Sequence, residues 1–211
     1  MTFQASAHAV RLPDPAALNI SSRINSALDV VDLGLQRARR PILTTKFGPQ
    51  SAALLHLVSR VRPDMPVIWV DTGFNSQTTL DHVNSLTEKL GLNLKRYQPR
   101  KPWEGEIPLA GFPEHEAFSE QVKLEPFRRA LKELEPDVWF TALRREQTEF
   151  RDGLSPFQSV QDGILKVCPF LDWREHDVAA YLALHGLEGN DDYQDPTKAE
   201  PHLECGIHDR L

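Results

Sequence analysis

The sequence predicts one α/β domain, a three-layer sandwich built on a mainly parallel sheet. Three observations lead there. Short apolar runs alternate with helical stretches from Ile42 onward, which is the pattern of right-handed βαβ units. One of those runs, Val67-Ile68-Trp69-Val70, is apolar at every position, as in a strand covered by helices on both faces. A chain of 211 residues with 40% hydrophobic content is long enough to bury one sizeable core and short for two full domains.

In chain order, residues 1–20 carry Pro13 and Pro15 without a steady period and read as an N-terminal arm. Ile24, Leu28, Val31, Leu35 and Ala38 then recur at helical spacing as far as Arg40, with Ser21 or Ser22 as N-cap. Ile42–Thr45 reads as a strand and Gln50–Arg62 as a helix ended by Pro63, with Ala53, Leu54, Leu57, Val58 and Val61 inward. After the Val67–Val70 strand come a helix from about Ser76 to Leu90, stopped by Gly91, and a strand over Leu92–Tyr97. Residues 98–119 hold four prolines and no period, so a long functional or mobile loop is expected. Val122–Leu134 follows as a helix with Pro126 early in it, and Val138–Thr141 as a strand. Phe157–Val167 reads as a hairpin around Asp162-Gly163, and Asp172 with Glu175 as the capping box of a last helix that Gly186 closes. The α/β domain thus spans 21–186, and 187–211 is an irregular polar tail.

Composition narrows the function. A net charge of -6 disfavours a general nucleic-acid or membrane surface, although a local basic pocket remains compatible with it. No run approaches the roughly 18 apolar residues of a spanning helix, and the start lacks a signal-like segment, so a cytoplasmic protein is expected. The two cysteines, Cys168 and Cys205, are too few for a disulfide framework or for a four-thiolate zinc or iron–sulfur site within one chain; no metal is expected.

Three loops follow predicted strands, the position where open α/β sheets bind ligands. In Lys46-Phe47-Gly48-Pro49-Gln50-Ser51, a cation, a glycine permitting close backbone approach and a serine in the first helical turn are the parts of an anion cradle, or of an ordinary turn. In Asp71-Thr72-Gly73 the polar pair suits a nucleotide's base or sugar; alternatively Asp71 orders its own turn. Arg144-Arg145-Glu146-Gln147, with Arg151 beyond, concentrates guanidinium forks that suit phosphate or sulfate, or that pair with Glu146 and Glu149. Cys168, in an apolar setting, reads as a buried inert thiol. Cys205, in the tail segment Glu204-Cys205-Gly206-Ile207-His208, reads as a movable thiol.

In this order, Phe47-Gly48-Pro49-Gln50, Trp69-Val70-Asp71-Thr72-Gly73, Leu143-Arg144-Arg145-Glu146-Gln147 and Glu204-Cys205-Gly206-Ile207-His208 resemble the assimilatory reductases of phosphoadenylyl sulfate (PAPS). The resemblance implies an adenine-nucleotide alpha-hydrolase-like fold, usually as a homodimer, with no bound cofactor. It implies Cys205 as the nucleophile on sulfur with His208 beside it, a substrate site including Lys46, Phe47, Gly48, Ser51, Asp71, Thr72, Gly73, Arg144, Arg145 and Gln147, and thioredoxin or glutaredoxin as external reductant. Relatives that use adenylyl sulfate carry cluster cysteines absent here, which favours PAPS. The chain departs from the family pattern at Lys46, where serine is usual. It departs again over Leu187–Leu203, which is short, lacks a Gly-Tyr-x-Ser-x-Gly-Asp element and ends in Leu203 before Glu204. Two other readings remain: a relative that binds an adenine nucleotide without turnover, and an ATP-pyrophosphatase-type adenylylating enzyme, whose Ser-Gly-Gly-x-Asp-Ser loop Lys46–Ser51 does not match.

Overall fold

Short apolar strands and helical stretches assemble here around a sheet whose strand order reverses at its centre. A computed structural model describes residues 15–36 and 38–198. Its strands are β1 (Pro41–Thr45), β2 (Pro66–Val70), β3 (Asn93–Tyr97), β4 (Val138–Phe140), β5 (Phe157–Ser159) and β6 (Leu165–Val167), in the spatial order β3-β2-β1-β4-β6-β5. Neighbours pair in parallel except β5, which lies antiparallel to β6 on the edge. The chain therefore moves outward from β1 to β3 and returns to the other flank of β1 to lay down β4. Connections leave β1 and β4 in opposite directions, which opens a crevice at their carboxyl ends.

The helices are α1 (Pro15–Leu35), α2 (Ser51–Val61), α3 (Gln77–Leu90), α4 (Pro113–Ser119), α5 (Glu125–Leu134) and α6 (Glu175–His185). Alternation along the strands divides the core between the two faces of the sheet. Leu43, Val67, Trp69, Phe140 and Val167 belong to one cluster with residues of α1, α2, α3 and α6. Ile42, Ile68 and Trp139 belong to the other, with Phe127 and Ala130 of α5. Register explains the match: Leu43 lies beside Val67 on one side and Phe140 on the other, so large apolar residues align across the central strands.

Four boundaries differ from expectation. α1 opens at Pro15 and runs through Ser21 and Ser22; a proline at the first helical position lacks only an N–H that the helix leaves unpaired anyway. It ends at Leu35, before Ala38. The loop after β3 is shorter than its prolines suggest, because Pro113 starts α4 and a π-helical turn, Glu120–Leu124, carries the chain into α5. Within that turn Glu125 N–H reaches back to the Glu120 carbonyl, the wider spacing by which a helix accommodates the N–H that Pro126 lacks. At α6 the cap lies two residues further on than Asp172 with Glu175. Asp177 Oδ2 accepts the Arg174 N–H at 2.8 Å, while Asp172 instead accepts from Arg145 Nε at 3.0 Å.

The tail beyond α6 is irregular over 187–198 yet packed. Asn190 Nδ2 donates to the Phe47 carbonyl at 2.9 Å and to Thr79 Oγ1 at 3.0 Å. A Cβ on Gly189 would stand 2.2 Å from the Pro49 carbonyl oxygen, so only glycine lets the tail approach this closely. The loop after β1 is thereby braced from outside.

Candidate functional site

At the carboxyl ends of β1 and β4 lies a cavity of about 670 Å³. Its floor is apolar, with Leu43, Leu54, Ile68 and Phe127. Its rim carries Thr44, Thr45, Thr72 and Thr141 and the cations Lys46, Lys123, Arg151 and Lys198. An apolar floor with polar groups converging from several loops is the usual form of a small-molecule site at a switch point.

Of the residues singled out from the sequence, Lys46, Ser51, Thr72 and Gln147 line the cavity. Phe47 does not; it is fully buried, at φ 53°, and packs edge-on against Trp69 at 5.6 Å. Its N–H donates to Thr45 Oγ1 at 3.1 Å. Phe47 thus anchors the loop in the core, and this turns Lys46 the other way, into the cavity. Gly48 N–H donates to Ser51 Oγ at 2.9 Å, closing the loop onto the first turn of α2.

Asp71 is buried beneath the cavity wall. Its carboxylate accepts from Gly73 N–H at 3.1 Å, Asn75 Nδ2 at 2.7 Å, Arg96 Nε at 2.9 Å and Gln98 Nε2 at 2.9 Å. Burial raises the carboxyl, but the hydrogen bonds from Arg96, Gly73 and Asn75 outweigh it and hold Asp71 below its ordinary value. Asp71 orders the turn, Gly73 at φ 85° completes it, and Thr72 between them reaches the cavity.

The two arginines after β4 face inward to the protein. Arg144, buried, binds Gln50 at the start of α2 and Glu146. Arg145 Nε donates to Asp172, and its Nη1 to the carbonyls of Leu154 at 2.9 Å and Arg151 at 3.3 Å. Gln147 Oε1 accepts the Arg144 N–H at 3.2 Å and also binds the Arg151 guanidinium. In this loop, then, Arg144 ties Gln50 and Glu146 through their side chains and Arg145 holds the loop carbonyls, while Gln147 and Arg151 border the cavity.

Lys123 and Asp195 were not expected at the site. Both line the cavity, paired at 2.6 Å. The signal for Lys123 is its spacing: it stands four residues before the buried Phe127, on the inward stripe of its helical run. Cys168 is fully buried, and burial pushes its thiol up to about 11. Cys205 and His208 lie outside the described residues. Among the described residues no cluster of three or more His, Cys, Asp or Glu suits a metal, and no helix is long and apolar enough to cross a membrane.

Residues 40–195 match the family model described as the phosphoadenosine phosphosulfate reductase domain. The chain belongs to the phosphoadenosine phosphosulfate reductase family. A phosphoadenosine 5′-phosphosulfate reductase of Vibrio parahaemolyticus is 43% identical over 151 residues, 69% of this chain and 58% of that protein. The alignment with this curated relative thus spans about three fifths of the relative's length. Among solved structures, a PAPS reductase of Candida auris in a phosphate complex superposes with a TM-score of 0.67 at 22% identity, covering 85% of this chain and 91% of that one. An FMN adenylyltransferase of Candida glabrata in complex with ATP superposes at 0.60 with 15% identity, over 83% and 58%. These likenesses establish the fold as the one shared by that PAPS reductase and that adenylyltransferase.

Proposed function

We propose that the chain reduces PAPS to sulfite and adenosine 3′,5′-bisphosphate in sulfate assimilation. The observation that carries this reading is the cavity at the switch point, where an apolar floor wide enough for an adenosine meets Lys46, Lys123 and Arg151 on the rim. A phosphosulfate needs clustered cations around a dry pocket, because its oxyanions gain most from charge-assisted hydrogen bonds out of bulk water. Lys46, Ser51, Thr72 and Gln147 contact the nucleotide, while Phe47, Gly48, Asp71, Gly73, Arg144 and Arg145 hold the loops that present them.

The Cys205 thiolate attacks the sulfate sulfur. A sulfur–sulfur bond forms, the sulfur–oxygen bond to the nucleotide breaks, and adenosine 3′,5′-bisphosphate leaves with the electron pair. His208 lies close enough in sequence to favour the thiolate. A dithiol protein, thioredoxin or glutaredoxin, then attacks the Cys205 sulfur and expels sulfite; its second thiol resolves the mixed disulfide and regenerates the Cys205 thiolate. Sulfur gains two electrons and the dithiol loses two, so no bound cofactor is needed. The reading includes a cytoplasmic homodimer acting on a small molecule, with no nucleic acid and no membrane.

The test is intact mass after incubation with PAPS. A sulfonate adduct is expected on the unsubstituted chain, released by reduced thioredoxin, and absent in Cys205→Ser, which still binds adenosine 3′,5′-bisphosphate. Cys168→Ser is expected to keep turnover and to lose about 1–2 kcal/mol of stability from a hydroxyl in an apolar site. Bound nucleotide without any adduct on Cys205 overturns the reductase reading.

A further inference from the structure

One short segment of the tail meets two of the cavity's cations. The Tyr193 ring lies over Lys46, with 5.2 Å from Nζ to the ring centroid. Two residues on, Asp195 Oδ2 stands 2.6 Å from Lys123 Nζ. This second contact is elaborately built. Lys123 Nζ also donates to Thr197 Oγ1 at 2.9 Å, and Thr197 donates to Asp195 Oδ1 from its hydroxyl at 2.6 Å and from its N–H at 3.1 Å, an Asx turn around Pro196. Lys123 and Asp195 side chains are 9% and 7% exposed, and Lys123, Tyr193 and Asp195 all line the cavity. A lysine on the wall of a cationic cavity is thus neutralised by a carboxylate of the same chain.

Such a pair is poised for exchange. Dehydrating two ions offsets much of their attraction, so a buried pair adds little net stability. A phosphate or sulfate group brings more acceptor oxygens than the single carboxylate it replaces, and a phosphate more charge as well. The segment is anchored upstream, where Asn190 binds the Phe47 carbonyl and Gly189 sits against Pro49, so 193–197 can lift while 187–190 stays in place.

We propose that residues 193–197 are a strap serving as the cavity's own anionic ligand: Asp195 holds Lys123 until an oxyanion of the incoming nucleotide takes it over, and that exchange releases the strap. The identity of the nucleotide rests on the reading above; the strap rests on the ion pair. The exchange couples occupancy to the segment that leads toward Cys205, and it makes the strap sensitive to oxyanions and indifferent to an uncharged nucleoside.

Hydrogen exchange on the full chain tests this, with adenosine 3′,5′-bisphosphate, inorganic pyrophosphate and adenosine as probes. The amides of Thr197 and Lys198 donate to Asp195 Oδ1 at 3.1 Å and to the Asp195 carbonyl at 3.2 Å. Both should exchange several-fold faster at saturating bisphosphate or pyrophosphate and be unmoved by adenosine. In calorimetry, Asp195→Asn should bind the bisphosphate roughly fivefold tighter, since Lys123 is then unpaired before the ligand arrives. Bound bisphosphate with unchanged or slower exchange at Thr197 and Lys198 overturns the strap and leaves the nucleotide reading standing. A strap that responds to pyrophosphate when bisphosphate does not bind supports the strap and overturns the nucleotide reading. If neither anion binds, both fail. Weaker binding by Asp195→Asn, with its fold intact, would make Asp195 a positioning partner of Lys123 and overturn the exchange. Should that variant not fold, the exchange data on the unsubstituted chain decide alone.

Discussion

Asp71 and Asp195 are both buried carboxylates paired with a cation, and they differ in what holds them. The donors to Asp71 come from its own turn, from β3 and from Gln98 just past it, and the ladder pairing Val70 with Tyr97 sets their positions. Asp195 is held by Lys123, 72 residues away in sequence, and by Thr197 of its own turn. The first pair belongs to the sheet's framework, since the β2–β3 ladder keeps its two residues side by side. The second exists only while the tail lies against the cavity. A buried carboxylate is thus a fixed strut in one place and a detachable contact in the other, according to whether its partners belong to strands already paired in the sheet or to a helical turn that the tail only rests against.

The largest expected difference is in stability. Asp71→Asn leaves Arg96 without its carboxylate and turns an amide donor against either Gly73 and Asn75 or Arg96 and Gln98, so urea denaturation should show a loss of about 3 kcal/mol. Asp195→Asn should lose about 1 kcal/mol, because water in the cavity can hydrate Lys123 once the strap lifts. Equal losses would erase the distinction between strut and contact. A similar contrast separates the arginines of the loop after β4. Arg151→Ala should weaken adenosine 3′,5′-bisphosphate binding by about 2 kcal/mol in calorimetry, since Arg151 borders the cavity. Arg145→Ala should change affinity by less than about 0.5 kcal/mol, since it is turned to Asp172 and the loop carbonyls; a larger loss there would return Arg145 to the anion site.

The smallest effect is in the pH dependence. Both aspartates have folded values below the ordinary carboxylate value of 3.8. For Asp195, burial pushes the carboxyl up and the Lys123 charge with its hydrogen bonds more than reverses this. The unfolded chain therefore takes up these protons first, and the stability they contribute is present above pH ~4 and lost as pH falls through their folded values. Tyr181 is opposite in sign. Burial raises it to about 12, so its contribution is full below pH ~10 and falls as pH rises from there toward about 12. Urea midpoints from pH 5 to pH 3 should fall less steeply in Asp71→Asn than in the unsubstituted chain; identical slopes would mean that Asp71 does not carry the acid limb.

Much of the fold was legible because it is written in local periods. The strands at Ile42, Val67 and Val138, the inward face of α2, the Ser76 and Gly91 ends of α3 and the apolar setting of Cys168 follow from residue spacing and from the backbone preferences of glycine and serine. The places that misled were prolines, which begin α1 and α4 where a breaker is the ordinary reading. The position of the site, beyond the carboxyl ends of β1 and β4, was also legible once alternation implied a parallel sheet. Which polar side chains reach the cavity was not. At a strand end, adjacent residues leave on opposite sides, so the packing of Phe47 on Trp69 sends Lys46 to the cavity, and the clasp on Asp71 sends Thr72 there. Arg145 is turned away by carbonyls that its own loop presents only when folded. Lys123 carried a local signal in its inward spacing, but its partner Asp195 did not, because no sequence period links a helix to a tail 72 residues later. The elements and their order were determined by near neighbours in the chain; the chemistry of the site was decided by contacts that form only when distant segments close on one another.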